Sequence, residues 1–194
     1  MRIPVGISGR HVHLSQEHLE ILFGKGYELT PMKDLSQPKQ YAAEEKVDVI
    51  SPQGKTLEGV RILGPVRKAT QVELSKSDAI RSKFVSPVRS SGDLAGSGAA
   101  TIVGPNGKVE ISEGVIIADR HIHFSTEEAK KFGVSDRQIV SIKIDGVKPG
   151  ILDNVTCRVN DDYLLDCHLD TDDGAAFLLN TGDTCEIVKY KIIK

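Results

Sequence analysis

The sequence predicts a mainly β protein with short capping helices, in which an internal duplication builds two small β-barrel domains. Two observations predict this fold class. The hexapeptide RHVHLS at residues 10–15 recurs as RHIHFS at residues 120–125, and each copy lies between an apolar run of β type and a helix signal. Most other apolar runs are short and are separated by turn residues, as in small barrels.

A helix is predicted directly after each copy of the hexapeptide. Ser15 is a good N-cap for a helix that runs to about Phe23, where Gly24 ends it. In the second copy, Ser125 and Glu128 have the spacing of a capping box. Two strand–His-x-His–helix units in matching context indicate a duplicated architecture.

The remaining chain has the pattern of strands and tight turns. The tetrapeptides PQGK (52–55) and PNGK (105–108) each separate two β-like runs. Proline followed two residues later by glycine suits a type I turn, which places Gly54 and Gly107 in the left-handed conformation. Strands are predicted over residues 3–7, 47–50, 56–57, 101–103, 109–111, 115–118, 139–144, 154–159, 163–169 and 184–193.

Composition excludes several classes of protein. The chain has 194 residues, with 25 basic and 27 acidic side chains and a net charge of −2, so the basic excess of a nucleic-acid binder is absent. It contains no apolar run of the roughly 18 residues that a membrane-spanning helix needs. The strand that carries the first histidine pair begins too close to Met1 to leave room for a targeting extension, which predicts a cytoplasmic protein, or one that reaches a compartment only through partners.

The three cysteines show no metal-binding or redox spacing. Cys157, Cys167 and Cys185 form no CxxC pair, so reduced thiols in a reducing compartment are expected.

The sequence also lacks the GxSxG motif of serine hydrolases. If the protein is an enzyme, a metal ion and the second substrate must therefore carry the reaction in place of a covalent side chain.

The two His-x-His pairs are the strongest chemical signal. On a strand, residues i and i+2 point to the same face, so His11 with His13, and His121 with His123, each present two imidazoles side by side. Such a pair can bind one ion, although two solvent-facing histidines would give the same pattern. Two ligands do not hold zinc, so each site must recruit others.

Several residues are candidates for the additional ligands. His168 is the obvious remaining histidine, and Glu73 is one carboxylate among 27 acidic residues that spacing cannot distinguish. His18 is interpreted as a solvated surface residue. The Gly/Ser-rich segment 90–98 is either a linker or a binding loop, and its composition favours a linker.

Taken together, six segments make the chain resemble the PduL-type phosphotransacylases, the phosphate propanoyltransferases of propanediol utilisation and their relatives. The resemblance covers essentially the whole chain. The segments are 10–15 (RHVHLS), 27–38 (YELTPMKDLSQP), 64–73 (GPVRKATQVE), 91–96 (SGDLAG), 120–123 (RHIH) and 168–172 (HLDTD).

The resemblance implies two zinc ions at the junction of two β-barrels. His11, His13 and Glu73 would hold one ion, and the other would be held by His121, His123 and His168. Arg67 matches the arginine that binds phosphate. The coenzyme A contacts would be Gly6, Ile7, Ser8, Lys55 and Arg61. A homodimer is also implied.

The family also implies a discontinuous domain layout. Residues 1–10 would join 119–194 in the barrel that carries the second histidine pair, and 11–118 would form the barrel that carries the first. Two positions depart from the family pattern: Gly9 replaces a common Asn, and Ala175 stands where an Asn that contacts phosphate is usual.

The expected activity is the transfer of an acyl group from propanoyl-CoA or acetyl-CoA to phosphate. Phosphate would attack the thioester directly, with zinc as Lewis acid. Two other functions are compatible with the residues. One is a zinc-dependent esterase or thioesterase, and the other is a non-catalytic protein whose zinc ions hold two barrels together.

Overall fold

The computed structural model describes residues 1–188, which form two compact units. The terminal unit comprises Met1–Ser8, Ser36–Pro38 and the described residues from Asp119 onward, and the central unit comprises Gly9–Leu35 and Lys39–Ala118. These bounds differ from the predicted domain bounds in two places: Gly9 and Arg10 lie in the central unit, and Ser36–Pro38 lies in the terminal unit.

The segment Ser36–Pro38 belongs to the terminal unit because its middle residue is bonded there. The side chain of Gln37 is buried. Its amide nitrogen donates to the Leu164 carbonyl at 2.9 Å, and its amide oxygen accepts from the Leu164 N–H at 3.2 Å. These two hydrogen bonds join residues that are far apart in the sequence, so their spacing could not predict them.

Residues 1–188 are mainly β, with four short helices. The strands are β1 (Ile3–Ser8), β2 (His11–His13), β3 (Pro31–Asp34), β4 (Tyr41–Ile50), β5 (Thr56–Gly64), β6 (Gln71–Glu73), β7 (Val88–Arg89), β8 (Gly98–Val103), β9 (Lys108–Ala118), β10 (His121–Phe124), β11 (Ile139–Ile144), β12 (Gly150–Val159), β13 (Asp166–Asp170) and β14 (Thr184–Ile187). The helices are α1 (Gln16–Phe23), α2 (Lys76–Ser82), α3 (Thr126–Phe132) and α4 (Thr171–Phe177). No helix within residues 1–188 is long and apolar enough to span a bilayer.

The terminal unit is a closed six-stranded barrel with strand order β1-β13-β10-β12-β11-β14. Strand β10, which carries the second histidine pair, runs antiparallel to β13 and parallel to β12. The barrel interior is filled by buried apolar side chains, among them Ile3, Ile122, Phe124, Ile142 and Val155. This core fixes the alternating side-chain directions of β10 and β13.

The central unit is a second six-stranded ring. Its strands follow the order β4-β5-β2-β6-β9, and β8 closes the ring by pairing with both β4 and β9. Strands β3 and β7 are attached outside the ring, to β4 and β9. The first histidine pair lies on β2, which is antiparallel to β6 and parallel to β5.

The two rings correspond strand by strand, which confirms the predicted duplication. Strand β2 corresponds to β10, β6 to β13, and β5 to β12, with the same relative directions in both rings. Strand β9, which pairs in parallel with β6, corresponds to β1, which pairs in parallel with β13. The strand that precedes each His-x-His sequence thus belongs to the other barrel.

The predicted helix caps are confirmed, and one of the two predictions for turn glycines is wrong. Helix α1 has the predicted N-cap and end, and at the start of α3 Ser125 and Glu128 form the predicted capping box. Gly54 is left-handed with φ 75°, as predicted. The prediction for Gly107 is wrong, because its φ is not positive. A Cβ at this position would lie 2.7 Å from the Ile21 carbonyl oxygen, so a close approach of backbone explains this glycine.

Other predictions fail at element ends. Strand β13 begins at Asp166, three residues later than predicted, because the Tyr163 N–H closes a turn on the Asn160 carbonyl. The strand predicted over 184–193 is present as Thr184–Ile187, and its last part lies outside the described residues. The sequence reading also missed α2 and α4, which start at the N-caps Ser75 and Asp170.

Candidate metal centres

The first centre consists of His11 and His13 on β2 and Glu73 on β6. His11 lies directly opposite Glu73 in the antiparallel register. The Nε2 atoms of His11 and His13 are 3.5 Å and 3.8 Å from the Glu73 carboxylate oxygens. One ligand atom from each residue lies within 4.8 Å of the other two. Both imidazoles are buried.

Backbone carbonyls orient the two imidazoles of the first centre. His11 Nδ1 lies 2.8 Å from the Gly9 carbonyl oxygen, and His13 Nδ1 lies 3.2 Å from the Leu63 carbonyl oxygen. Since a carbonyl can only accept, each Nδ1 carries a proton, and Nε2 is the ring nitrogen that lies toward Glu73. A metal ligand requires this orientation, in which Nδ1–H donates to the protein and Nε2 is the atom offered to the ion.

A hydrogen-bonding network holds the Glu73 carboxylate. Its Oε1 accepts from the Gln71 side-chain amide, and also from the Ser91 hydroxyl at 3.1 Å. Gln71 is 1% exposed, and its own amide oxygen accepts from the Gly92 N–H at 2.8 Å. The network therefore fixes the carboxylate without using the oxygen that faces His11.

The charges of the first centre shift its pKa values in opposite directions. Burial, together with the positive charges at His11 and Arg67, lowers the pKa of His13 to about 3. Burial raises the pKa of Glu73, but His11, His13 and Arg67 outweigh it and hold that pKa well below its usual range. Burial lowers the pKa of His11, and the Glu73 carboxylate reverses this and raises it. At neutral pH the centre therefore contains an ionised carboxylate and a neutral His13.

Arg67 lies beside the first centre. Its backbone N–H donates to the Leu14 carbonyl at 2.8 Å, which places the residue next to the end of β2. Its guanidinium donates to the Ser91 hydroxyl at 3.1 Å. The same hydroxyl contacts Glu73, so the arginine and the Glu73 carboxylate share one partner.

The second centre consists of His121 and His123 on β10 and His168 on β13, and His121 lies opposite His168. The three ring centroids are 4.8–5.1 Å apart, and one ring nitrogen from each lies within 4.8 Å of the others. His121 Nδ1 lies 2.8 Å from the Asp119 carbonyl oxygen. This repeats the contact between His11 and Gly9 in the first centre.

His123 shows that the second centre suits a cation. Both of its ring nitrogens are buried and have no hydrogen-bond partner among the described residues. Burial, with the neighbouring His121 and His168, lowers its pKa to about 2, so the ring is neutral at physiological pH. A buried polar atom without a partner is costly, and a metal bond from one nitrogen would satisfy it. Imidazole and carboxylate donors in this number suit zinc and related divalent ions.

Other residues near the second centre were not singled out by the sequence. The Asp166 carboxylate, which is buried, lies 2.9 Å from His168 Nε2. The Ser36 hydroxyl lies 3.4 Å from the same nitrogen. In the first centre, Gln71 and Ser91 were equally missed as individual residues. The signal that could have found Gln71, Ser91 and Ser36 is that each lies inside a segment carrying the family resemblance.

The residues predicted to contact coenzyme A fall in different units. Gly6, Ile7 and Ser8 lie on β1 of the terminal unit, where Gly6 pairs with His168 in the β1–β13 register. Lys55 is exposed in the turn before β5 of the central unit. Arg61, on β5, donates to the Ala43 and Glu44 carbonyls at 2.9 Å and 2.8 Å. Their role toward coenzyme A stays a prediction.

Two interpretations of individual segments are corrected by the structure. His18 is half-buried, with Nδ1 2.8 Å from the Thr70 hydroxyl, so it is not simply a solvated residue. Segment 90–98 is not an interdomain linker, because it lies inside the central unit and carries Ser91 to Glu73. Ala175, the position where the family pattern has an Asn, is exposed on α4.

Comparison with known proteins identifies close relatives over nearly the whole chain. A family model described as phosphate propanoyltransferase matches residues 4–180. A phosphate propanoyltransferase of Thermotoga maritima is 52% identical over 97% of this chain and 90% of its own length. Phosphate propanoyltransferases of Priestia megaterium and Lachnoclostridium phytofermentans are 48% and 46% identical, over 97% and 96% of this chain and 87% of each relative.

Proposed function

Because this chain belongs to the phosphate propanoyltransferase family and is therefore an acyltransferase, we propose that it is a zinc-dependent phosphotransacylase in which phosphate attacks the acyl-CoA thioester directly. The substrates are propanoyl-CoA or acetyl-CoA and inorganic phosphate. The products are the acyl phosphate and coenzyme A. The observation that carries the proposal is the arrangement of Arg67, Ser91 and Glu73, which joins an anion-binding guanidinium to a metal-ligand set.

Two zinc ions per chain would be held by the six ligand residues described above. His11, His13 and Glu73 would hold one ion, and His121, His123 and His168 the other. When bound, zinc supplies Lewis acidity to a thioester carbonyl and stabilises a departing thiolate. The backbone carbonyls of Gly9, Leu63 and Asp119 keep three of the imidazoles in the orientation that this binding needs.

Arg67 would bind and orient the phosphate. A guanidinium donates two parallel hydrogen bonds to a phosphate, which a lysine cannot reproduce. In the structure, Ser91 occupies one guanidinium nitrogen. The Ser91 hydroxyl therefore limits the rotation of Arg67 and keeps the positive charge beside the first centre.

The transfer would proceed without an acyl-enzyme. A phosphate oxygen forms a bond to the thioester carbon, the carbon–sulfur bond breaks, and coenzyme A leaves as its thiolate. The cysteines give no support to a covalent route, because all three are buried. Burial raises the pKa of Cys157 to about 11, and Cys185 together with burial raises the pKa of Cys167 far above its ordinary value. Neither thiol is ionised at neutral pH.

A thiol-release assay tests this function. Coenzyme A release from propanoyl-CoA should require phosphate, and Arg67→Ala should raise the KM for phosphate by about tenfold or more, as expected for the loss of charge-assisted hydrogen bonds. Arg81→Ala, which removes an exposed arginine of α2 in the same unit, is the matched control for phosphate affinity. Equal release without phosphate would indicate a zinc-dependent thioesterase instead. An unchanged KM for phosphate in Arg67→Ala would contradict the role of Arg67.

The predicted CoA-contact residues, the homodimer and the cytoplasmic location are further parts of the proposal. Gly6, Ile7 and Ser8 on β1, with Lys55 and Arg61, are the residues proposed to contact coenzyme A. The choice between propanoyl and acetyl groups is decided by kcat/KM measured for both thioesters.

A further inference from the structure

We infer that Asp166 is a fourth ligand of the second metal centre, bonding through a carboxylate oxygen to the ion held by His121, His123 and His168. The inference rests on the metal-binding part of the proposed function. It assigns a residue that neither the histidine spacing nor the family resemblance indicates.

The strand register places Asp166 at the fourth corner of the centre. On β10 and β13, His121 lies opposite His168 and His123 lies opposite Asp166. Because residues two apart on a strand share a face, these four side chains project from one face of the strand pair. Three corners of this array are metal-ligand candidates, and Asp166 occupies the remaining corner.

The distance between Asp166 and His168 is close to that between two ligands of one ion. Two donor atoms that each lie about 2.1 Å from one ion are separated by roughly 3.0–3.4 Å, depending on the coordination geometry. Asp166 Oδ2 lies 2.9 Å from His168 Nε2. In the first centre, the corresponding separation between His11 Nε2 and Glu73 Oε2 is 3.5 Å.

Because the Asp166 carboxylate is buried, a bound cation would stabilise its ionised form. The residue is 4% exposed, and its ion pairing among residues 1–188 involves His168 and no lysine or arginine. A buried carboxylate is costly unless a positive charge compensates it. Gly6 on the adjacent strand β1 leaves room on one side, because a Cβ there would lie 3.1 Å from Asp166 Oδ2.

The duplicated architecture supports the same assignment. In the first centre, the corner opposite His13 is Gln71, and the corner opposite His11 is the carboxylate Glu73. In the second centre, the corner opposite His123 is the carboxylate Asp166, and the corner opposite His121 is His168. Each array thus contains a single carboxylate, placed at exchanged corners. With neutral imidazoles, both centres would present the same charge to a divalent ion.

Cobalt(II) binding to the second centre alone tests the inference. In full-length chain carrying His11→Ala and His13→Ala, cobalt(II) is followed by its visible absorption, and zinc affinity is measured by competition with a chelator. Asp166→Asn should weaken zinc binding at least tenfold, since even residues behind the ligands cost 10–100-fold. It should also shift the cobalt absorption bands, which report the ligand set. Asp162→Asn, an exposed neighbour, should change neither.

A zinc-loaded crystal structure of the unmodified chain tests the inference without a variant. An Asp166 oxygen at about 2.0–2.2 Å from the ion supports it, and an oxygen more than about 3 Å away overturns it. If the background chain binds metal and Asp166→Asn binds equally tightly with unchanged bands, the assignment of Asp166 is wrong while the proposed function stands. If the background chain binds no ion, the metal-binding part of the proposed function fails together with this inference.

Discussion

Replacing Glu73 by glutamine removes the charge of the first centre while preserving the shape of the side chain. Glu73 Oε2 is the oxygen that faces His11 Nε2 at 3.5 Å, while Oε1 is held by Gln71 and Ser91. The variant Glu73→Gln keeps a hydrogen-bonding group in this network but offers a neutral amide to the ion. Since loss of residues behind the ligands already costs 10–100-fold, we expect zinc affinity at the first centre to fall at least about 100-fold.

This loss of affinity has a calculable effect on stability. At a free zinc concentration 100 times the dissociation constant, binding stabilises the folded state by about 2.7 kcal/mol. A 100-fold weaker site at the same free zinc contributes about 0.4 kcal/mol, so the zinc-induced stabilisation should fall by about 2.3 kcal/mol. Urea unfolding in a zinc buffer measures this difference, and elemental analysis should show one ion per chain in place of two.

Glu45→Gln is the matched control for Glu73→Gln. Glu45 is a buried glutamate of the same barrel, and it accepts from the Tyr27 hydroxyl and the Thr30 N–H. It belongs to neither metal-ligand group. The control should lose some stability but retain two ions. Two tightly bound zinc ions in Glu73→Gln, with unchanged zinc-induced stabilisation, would show that Glu73 is not a ligand of the first centre.

Three further predictions concern the frame around the centres. Burial raises the pKa of Glu45, but its hydrogen bonds with Thr30 and Tyr27 outweigh burial and lower that pKa below 4.5. The free energy of unfolding of wild type should therefore exceed that of Glu45→Gln by roughly 1–3 kcal/mol above about pH 4.5. This difference should be lost as the pH falls through the lowered pKa, which urea titrations at several pH values measure. Gly107→Ala should destabilise the central barrel by about 1–3 kcal/mol in urea unfolding because its Cβ would approach the Ile21 carbonyl, whereas Gly133→Ala, where a Cβ meets nothing, should cost only the strain of its left-handed φ. Arg120→Ala breaks two 2.8 Å hydrogen bonds to Asp173 and should lower the free energy of unfolding by about 1–2 kcal/mol. Arg10→Ala breaks one bond to Asp78 from a more exposed side chain and should lower it less. Equal losses in the two variants would contradict this expected effect of burial and geometry.

The parts of the fold that are encoded locally could be predicted from the sequence. Ser15 and Ser125 act on the backbone N–H groups three residues later, and the His-x-His spacing depends only on the alternation of side chains along a strand. The prediction for Gly107 was wrong because glycine is required there by the close approach of the Ile21 carbonyl on α1, and not by the conformation of its own turn. Strand β13 was predicted too long because residues before Asp166 bond elsewhere: the Tyr163 N–H closes a turn on Asn160, and the Leu164 backbone bonds to the Gln37 side chain.

The partners of the histidines depend on strand register, which local sequence does not encode. Nothing near Glu73 or His168 in the sequence says that these residues lie opposite His11 and His121. The family resemblance supplied both residues as expected ligands. Gln71 and Asp166, the remaining corners, became visible only once the pairing of β6 with β2 and of β13 with β10 was known. The contact of Ser36 with His168 required Gln37 to be bonded to a residue 127 positions away.

The number and location of bound metal ions are the sharpest test of the two metal centres. Zinc-loaded protein, after removal of excess metal, should contain two ions per chain by elemental analysis. The paired change His11→Ala and His13→Ala should remove one ion, and His121→Ala with His123→Ala should remove the other. A folded wild-type chain that retains no zinc, or either paired variant that retains both ions, would contradict the duplicated metal centres.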